Sequence, residues 1–162
     1  MARGRKNQQK KTRLVGMMLL ICYTFLLIYF LFFAEWYGRG PVEHTELRYN
    51  LIPFLEIQRY IDNWEIIGID KVILNLGGNI LGFVPLGLLV PTIWKSMRRA
   101  WIVIYLGFAI SVMVECIQLL SCVGSCDVDD VILNTLGTAI GYIIYAVGRG
   151  LRRKIHGKKT KV

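Results

Sequence analysis

The sequence predicts an all-α, multi-pass transmembrane bundle of four helices, with a short amphipathic helix in the first outside loop. Three observations predict it. Of 162 residues, 54% are hydrophobic and 19% charged, and the charge is gathered in short blocks rather than spread along the chain as in a soluble domain. Between the blocks run four apolar stretches of the length that crosses bilayer hydrocarbon, about 20 residues at roughly 1.5 Å each. If these stretches are spans, the basic blocks all fall on one side of the membrane.

Residues 1–13 form a basic N-terminus with Arg3, Arg5, Lys6, Lys10, Lys11 and Arg13, expected to be disordered or to lie on the membrane surface. Residues 14–34 carry no charge and form the first span. It is longer than a signal-peptide core and lacks an A-x-A-like site, so it reads as uncleaved. Tyr29, Phe30, Phe32, Phe33, Trp36 and Tyr37 mark an interfacial aromatic belt at its end. In the polar loop 35–71, Phe54, Ile57, Ile61 and Trp64 recur at helical spacing among Glu56, Gln58, Arg59 and Asp62. That spacing predicts a surface helix starting near Pro53; an ordinary packed loop is the alternative.

Residues 72–94 form the second span, rich in glycine and carrying Pro85 and Pro91; inside a bundle such residues permit close packing and kinks. A short basic loop, 95–99, leads to the third span, 101–121. An acidic loop, 122–130, leads to the fourth, 131–148, and residues 149–162 form a basic tail. The membrane domain thus covers residues 14–148, between two basic ends. Gly78-x-x-x-Gly82 and Gly137-x-x-x-Gly141 place small residues on single helix faces, as contact surfaces do.

Charge sets the expected orientation. Sixteen of 20 Lys and Arg lie in the N-terminus, the 95–99 loop and the tail, and none of the 11 acidic residues does. The positive-inside rule places those segments, and both termini, in the cytoplasm. The net charge of +9 therefore suits anionic lipid headgroups; no folded basic face with interleaved aromatics argues for nucleic acid.

The spans also contain polar groups that are costly in hydrocarbon. Glu115 is the sharpest, since a charged acid at a helix centre costs about 2.5–3.5 kcal/mol on insertion scales. Gln118 lies three residues on, on the same face; Asn75 and Asn79 are four apart; Asp127, Asp130, Asn134 and Thr138 form a ladder at three- and four-residue steps. Given the direction of each span, these groups fall at one level near the outer surface. The expected site is a polar pocket open to the outside, lined by Asn75, Asn79, Glu115, Gln118, Asp127, Asp130 and Asn134. The competing reading is interhelical hydrogen-bonding glue, worth about 0.6 kcal/mol per contact.

Catalytic patterns are not visible. The two histidines, His44 and His156, lie in a loop and the tail, and there is no H-E-x-x-H, G-x-S-x-G or P-loop spacing. No cofactor or metal is expected. Cys122 and Cys126 share the outer loop and could bond to each other or bind metal; free thiols are the expectation. Cys22 and Cys116 read as small apolar residues.

Four motifs in order resemble the VanZ-like membrane protein family: Asn50-Leu51-Ile52-Pro53-Phe54; Asn75-Leu-Gly-Gly-Asn79-Ile-Leu-Gly-Phe83-Val-Pro85-Leu-Gly87; Glu115-x-x-Gln118; and Asp127-Val-Asp129-Asp130-Val-Ile-Leu-Asn134-Thr-Leu-Gly137. The resemblance covers roughly residues 14–145. Many members carry an Arg shortly before the Asp-x-Asp-Asp run, where this chain has Gly124-Ser125-Cys126, so a family salt bridge or headgroup contact is missing or supplied otherwise. The resemblance implies a bacterial cytoplasmic-membrane protein similar to those linked with resistance to teicoplanin-type glycopeptides. It supplies no mechanism.

Three functions follow for testing. The first is a non-enzymatic protein whose outer pocket engages a membrane lipid, a cell-wall precursor or a lipid-tailed glycopeptide drug. The second is an intramembrane enzyme on an envelope lipid, with Glu115 and Asp130 as acid and base. The third is a small transporter, for which four spans are few and the inner halves lack a polar path. The oligomeric state is open.

Overall fold

The computed structural model describes residues 2–30, 49–121 and 125–158. The belt residues Phe32, Phe33, Trp36 and Tyr37, together with His44 and Cys122, lie outside the described residues. Four helices are long and apolar enough to cross a membrane, over Lys10–Tyr29, Ile69–Ile93, Ala100–Ser121 and Val128–Lys154.

Helix α1 runs Ala2–Tyr29. The basic N-terminus is therefore helical and continuous with the first span, not a separate disordered or surface-lying block. A 28-residue helix is about 42 Å long, more than the roughly 30 Å of hydrocarbon, so its charged turns extend past the apolar part. A two-residue strand β1 (Tyr49–Asn50) precedes α2 (Leu55–Asp62), α3 (Trp64–Ile67) and α4 (Ile69–Val72). The second span continues through a π-helical turn, Ile73–Gly77, into α5 (Gly78–Ile93), which passes through Pro85 and Pro91. A 3₁₀ turn, Lys95–Met97, joins it to α6 (Ala100–Ser121). Strand β2 (Cys126–Asp127) pairs in parallel with β1, Tyr49 opposite Cys126 and Asn50 opposite Asp127. Helix α7 (Val128–Lys158) is the last described element and continues as helix into the basic tail.

The predicted amphipathic helix is present but shorter than its pattern. Phe54 adopts a left-handed backbone, φ 68° and ψ 3°, so α2 begins at Leu55. Its cap Asn63 ends it before Trp64, which starts α3.

Helix α7 is the centre of the bundle, packed on α5 and α6. Lipid offers no hydrophobic drive for helix association, so close packing must supply it. Gly137 and Gly141 provide that packing. A Cβ at either would lie 2.1 and 2.0 Å from the carbonyl oxygens of Ile80 and Val84 on α5, so the two backbones touch. This is the contact face predicted from Gly137-x-x-x-Gly141. The other pair divides: Gly82 faces Leu27 of α1, and a Cβ at Gly78 would meet nothing within 4 Å. A small apolar core of Phe83, Leu86 and Val90 is flanked by Tyr23 and Leu27 from α1 and Leu106 and Ile110 from α6. Helix α1 is held to α5 by the Tyr23 hydroxyl, which donates to the Gly82 carbonyl at 2.8 Å. At the basic-loop end, Tyr142 donates to the Arg98 carbonyl at 2.9 Å and the Arg98 Nε to the Pro91 carbonyl at 3.3 Å.

Candidate functional site

The polar residues collect where the C-terminal end of α6 meets the N-terminal ends of α5 and α7. Asp127 precedes α7 and caps it, its Oδ1 accepting the Asp129 N–H at 2.9 Å, which satisfies one of the orphan donors of a helix start. The same Oδ1 accepts Asn50 Nδ2 at 3.2 Å, tying the loop before α2 to α7. The Asp127 N–H in turn donates to Glu115 Oε2 at 2.8 Å. Glu115 is 4% exposed, so α6 reaches the cap of α7 with a buried charge-bearing group. One level deeper, Asn134 Nδ2 donates to Ser111 Oγ at 2.8 Å, and the Thr138 hydroxyl bonds back to the Asn134 carbonyl. On the α5 side, Asn79 Nδ2 donates to Asp130 Oδ1. Gln118 is buried on the same stripe of α6 as Ser111 and Glu115.

Asp129 is the residue the sequence pattern passed over. It is 1% exposed, and its carboxylate accepts the backbone N–H groups of Phe54, of Glu56 at 2.9 Å and of Ile57 at 3.1 Å. These are first-turn donors of α2, whose cap residue Phe54 makes no side-chain capping bond. An acid from α7 thus caps another helix, and the left-handed Phe54 aims its N–H at that acid. A non-glycine residue there costs on the order of 1–2 kcal/mol, offset by charge-assisted bonds to three donors.

Of the predicted pocket, Glu115 and Asp127 are joined directly, Asn79 and Asp130 directly, and Asn134 through Ser111, with Gln118 buried beside them. Asn75 stands apart: its Nδ2 bonds to the Lys71 carbonyl on its own helix at 2.9 Å, and it is exposed. It sits one turn before Asn79 on the second span and lines the cleft described below. Asn50, Ser111 and Asp129 belong to the cluster without having been predicted. The family motifs contain Asn50 and Asp129; Ser111 lies four residues before Glu115, a signal available from helix spacing.

The cluster is acidic, and its carboxylates are largely engaged by the protein's own N–H groups. Burial pushes the Asp127 carboxyl above the usual range; the like charge of Asp129 adds to this, while the Asp129 N–H, Asn50 and the Arg59 cation oppose it. Arg59 is thus a positive charge acting on the motif in a chain that lacks the preceding Arg. It also pairs with Glu56 at 2.7 Å. Beside the cluster lies an open cleft of about 500 Å³, lined by Arg59, Tyr60 and Asn63, by Ile66 and Ile67 of α3, and by Lys71 and Asn75.

The VanZ/LLP1 family model matches residues 20–149, which takes in the second and third spans entire, most of the fourth, the second half of the first and the whole cluster. The chain belongs to the VanZ/LLP1 family. No curated protein and no solved structure matches it. The family motifs noted in the sequence are the residues that make the interlock: Asn50 and Phe54 from the first, Asn79 from the second, Glu115 from the third, and Asp127, Asp129 and Asp130 from the fourth. In this VanZ/LLP1 member they join the loop helix α2 to the ends of three spans.

Proposed function

We propose that this VanZ/LLP1 member is a non-enzymatic protein of a bacterial cytoplasmic membrane, with both termini cytoplasmic, which engages a lipid-tailed ligand at its outer face. The ligand class comprises a membrane lipid, a cell-wall precursor and a teicoplanin-like drug, and the role is envelope homeostasis or resistance to such drugs. The observation that carries this reading is the cleft beside α2, whose walls set amides and cations against isoleucines. Ile66 is 87% exposed, which suits contact with an acyl chain rather than with protein. The carboxylate cluster supports it by holding α2 in place beside the cleft. An acid–base role for Glu115 and Asp130 is less favoured, because each already accepts a bond from Asp127 or Asn79.

The test is expression of the chain in a susceptible bacterium, followed by inhibitory concentrations for a lipid-tailed and an untailed glycopeptide. Protection against the tailed drug alone is expected. Equal sensitivity to both, unchanged from the empty vector, counts against the reading.

A further inference from the structure

We infer that the cleft between α2, α3 and the start of the second span is a binding site for a phosphate group carried by a lipid-tailed molecule, held by Arg59 and Lys71. The inference rests on the proposed outer-face reading and names the chemistry of its ligand.

Among the described residues of the two loops that meet here and the helices α2–α4, the basic side chains are Arg59 and Lys71, and both line the same cleft. They come from separate elements, twelve positions apart in sequence, so the juxtaposition is made by the fold. The same helices also carry Glu56, Asp62, Glu65 and Asp70, which disfavour loose attraction of anions to this face, so an anion held here needs direct contact with the two cations. Arg59 is pre-oriented: one nitrogen, Nη2, holds Glu56 at 2.7 Å, and a guanidinium has further N–H donors in a rigid fork suited to phosphate. Its carbon lies 5.3 Å from the Tyr60 ring centroid, within cation–π reach. Lys71 sits on the first turn of the second span, where Asn75 bonds to its carbonyl, so an ammonium and an amide flank the cavity one turn apart.

The remaining lining points to a tail. Ile66 and Ile67 form one wall, and outside the lining Ile73 and Leu74, 63% and 72% exposed, follow on the helix that carries Lys71 and Asn75. A free anion gains nothing from these side chains; an amphiphile with a phosphate headgroup uses both halves of the cleft. At about 500 Å³ the space is within the ordinary range of small-molecule sites. The cation pair fits a phosphate better than a neutral headgroup because charge-assisted bonds to phosphate are roughly twice as strong as neutral ones.

The experiment uses the full chain purified in dodecyl maltoside, an alkyl glycoside detergent that carries no phosphate. Retention of phosphatidic acid, of diacylglycerol with the same tails, and of inorganic phosphate is measured by native mass spectrometry and competition. Phosphatidic acid is expected to be held about tenfold more tightly than diacylglycerol. Lys71→Gln and Arg59→Gln are each expected to weaken it about tenfold, Lys71→Arg to restore it, and Lys95→Gln, at the other end of the bundle, to leave it unchanged. Because Arg59→Gln also frees Glu56, the Lys71 pair keeps the test independent of α2 folding. Binding of a lipid-tailed molecule that ignores both Arg59→Gln and Lys71→Gln overturns the assignment while leaving the outer-face reading standing. Competition by inorganic phosphate at equal concentration overturns the lipid component. Failure of the wild-type chain to retain any lipid-tailed molecule overturns both.

Discussion

Removing the Asp129 carboxylate should release α2 from the bundle. The side chain accepts three backbone donors, from Phe54, Glu56 and Ile57, and α2 has no capping side chain of its own. Bonds to a charged group contribute about 1.5–3 kcal/mol each net. Three at the lower end would total somewhat over 4 kcal/mol, but such bonds do not add, and the freed N–H groups of exposed Phe54 and half-buried Glu56 and Ile57 regain water. An Asp129→Ala loss of about 3 kcal/mol is the resulting figure, or about 100-fold in the local opening equilibrium. Asp129→Asn keeps one acceptor and turns an NH₂ toward a backbone donor, so it should lose about tenfold. The assay is amide hydrogen exchange of residues 54–57 in nanodiscs, with residues 131–134 of α7 as the internal reference. Faster exchange confined to 54–57 is expected in both variants. Unchanged exchange in Asp129→Ala would refute the argument that an acid on α7 caps the loop helix.

Other consequences can be checked on the same preparation. Gly141→Ala should destabilise the bundle by about 2 kcal/mol or more, because the new Cβ meets the Val84 carbonyl at 2.0 Å, whereas Gly78→Ala, with nothing within 4 Å, should leave thermal aggregation unchanged. Glu115→Ala leaves the buried Asp127 N–H without its acceptor and should cost about 1–3 kcal/mol, while Glu115→Gln retains a carbonyl oxygen and should cost less. The Asp127 carboxyl is raised above its ordinary range by burial, so its contribution to stability is fully present below the unfolded value near 4 and is lost as pH rises through the folded value. Asp127→Asn should therefore flatten the stability change between neutral pH and about pH 4; an unaltered pH profile contradicts the shift.

Much of this architecture is visible in the sequence because lipid imposes it. Span existence follows from apolar length, and the third span matches almost to the residue, since a basic loop and an acidic loop bound it tightly. The ends of α1 and α7 are not marked in the same way. Hydropathy stops at the first charges, whereas the helix hydrogen-bond ladder continues through them to Ala2 and Lys158. In the site, Glu115, Gln118, Asp130 and Asn134 were legible because α6 and α7 keep regular phase. Asn75 lies apart from that cluster, bonded to the Lys71 carbonyl on its own helix, and lines the cleft instead. Asp129 is not legible from spacing for a different reason: it lies off the α7 stripe and serves α2, seventy-odd positions away, so its role exists only in the folded chain. Phe54 likewise looked like the first apolar position of a helix and is instead the bent residue that presents its N–H to that acid.

The pairing of Tyr49 with Cys126 allows one measurement to address both the interlock and its side of the membrane. With Cys122 replaced by Ser, Tyr49→Cys places a thiol opposite the native Cys126, which is free, at a strand-pair spacing a disulfide can bridge. In intact cells the disulfide should form spontaneously, as expected in an oxidising outer compartment, and a membrane-impermeant reductant should reverse it; mass spectrometry of the linked peptides reads both steps. No linkage, or linkage that only a permeant reductant reverses, would contradict the account of a loop locked to α7 at the outer face.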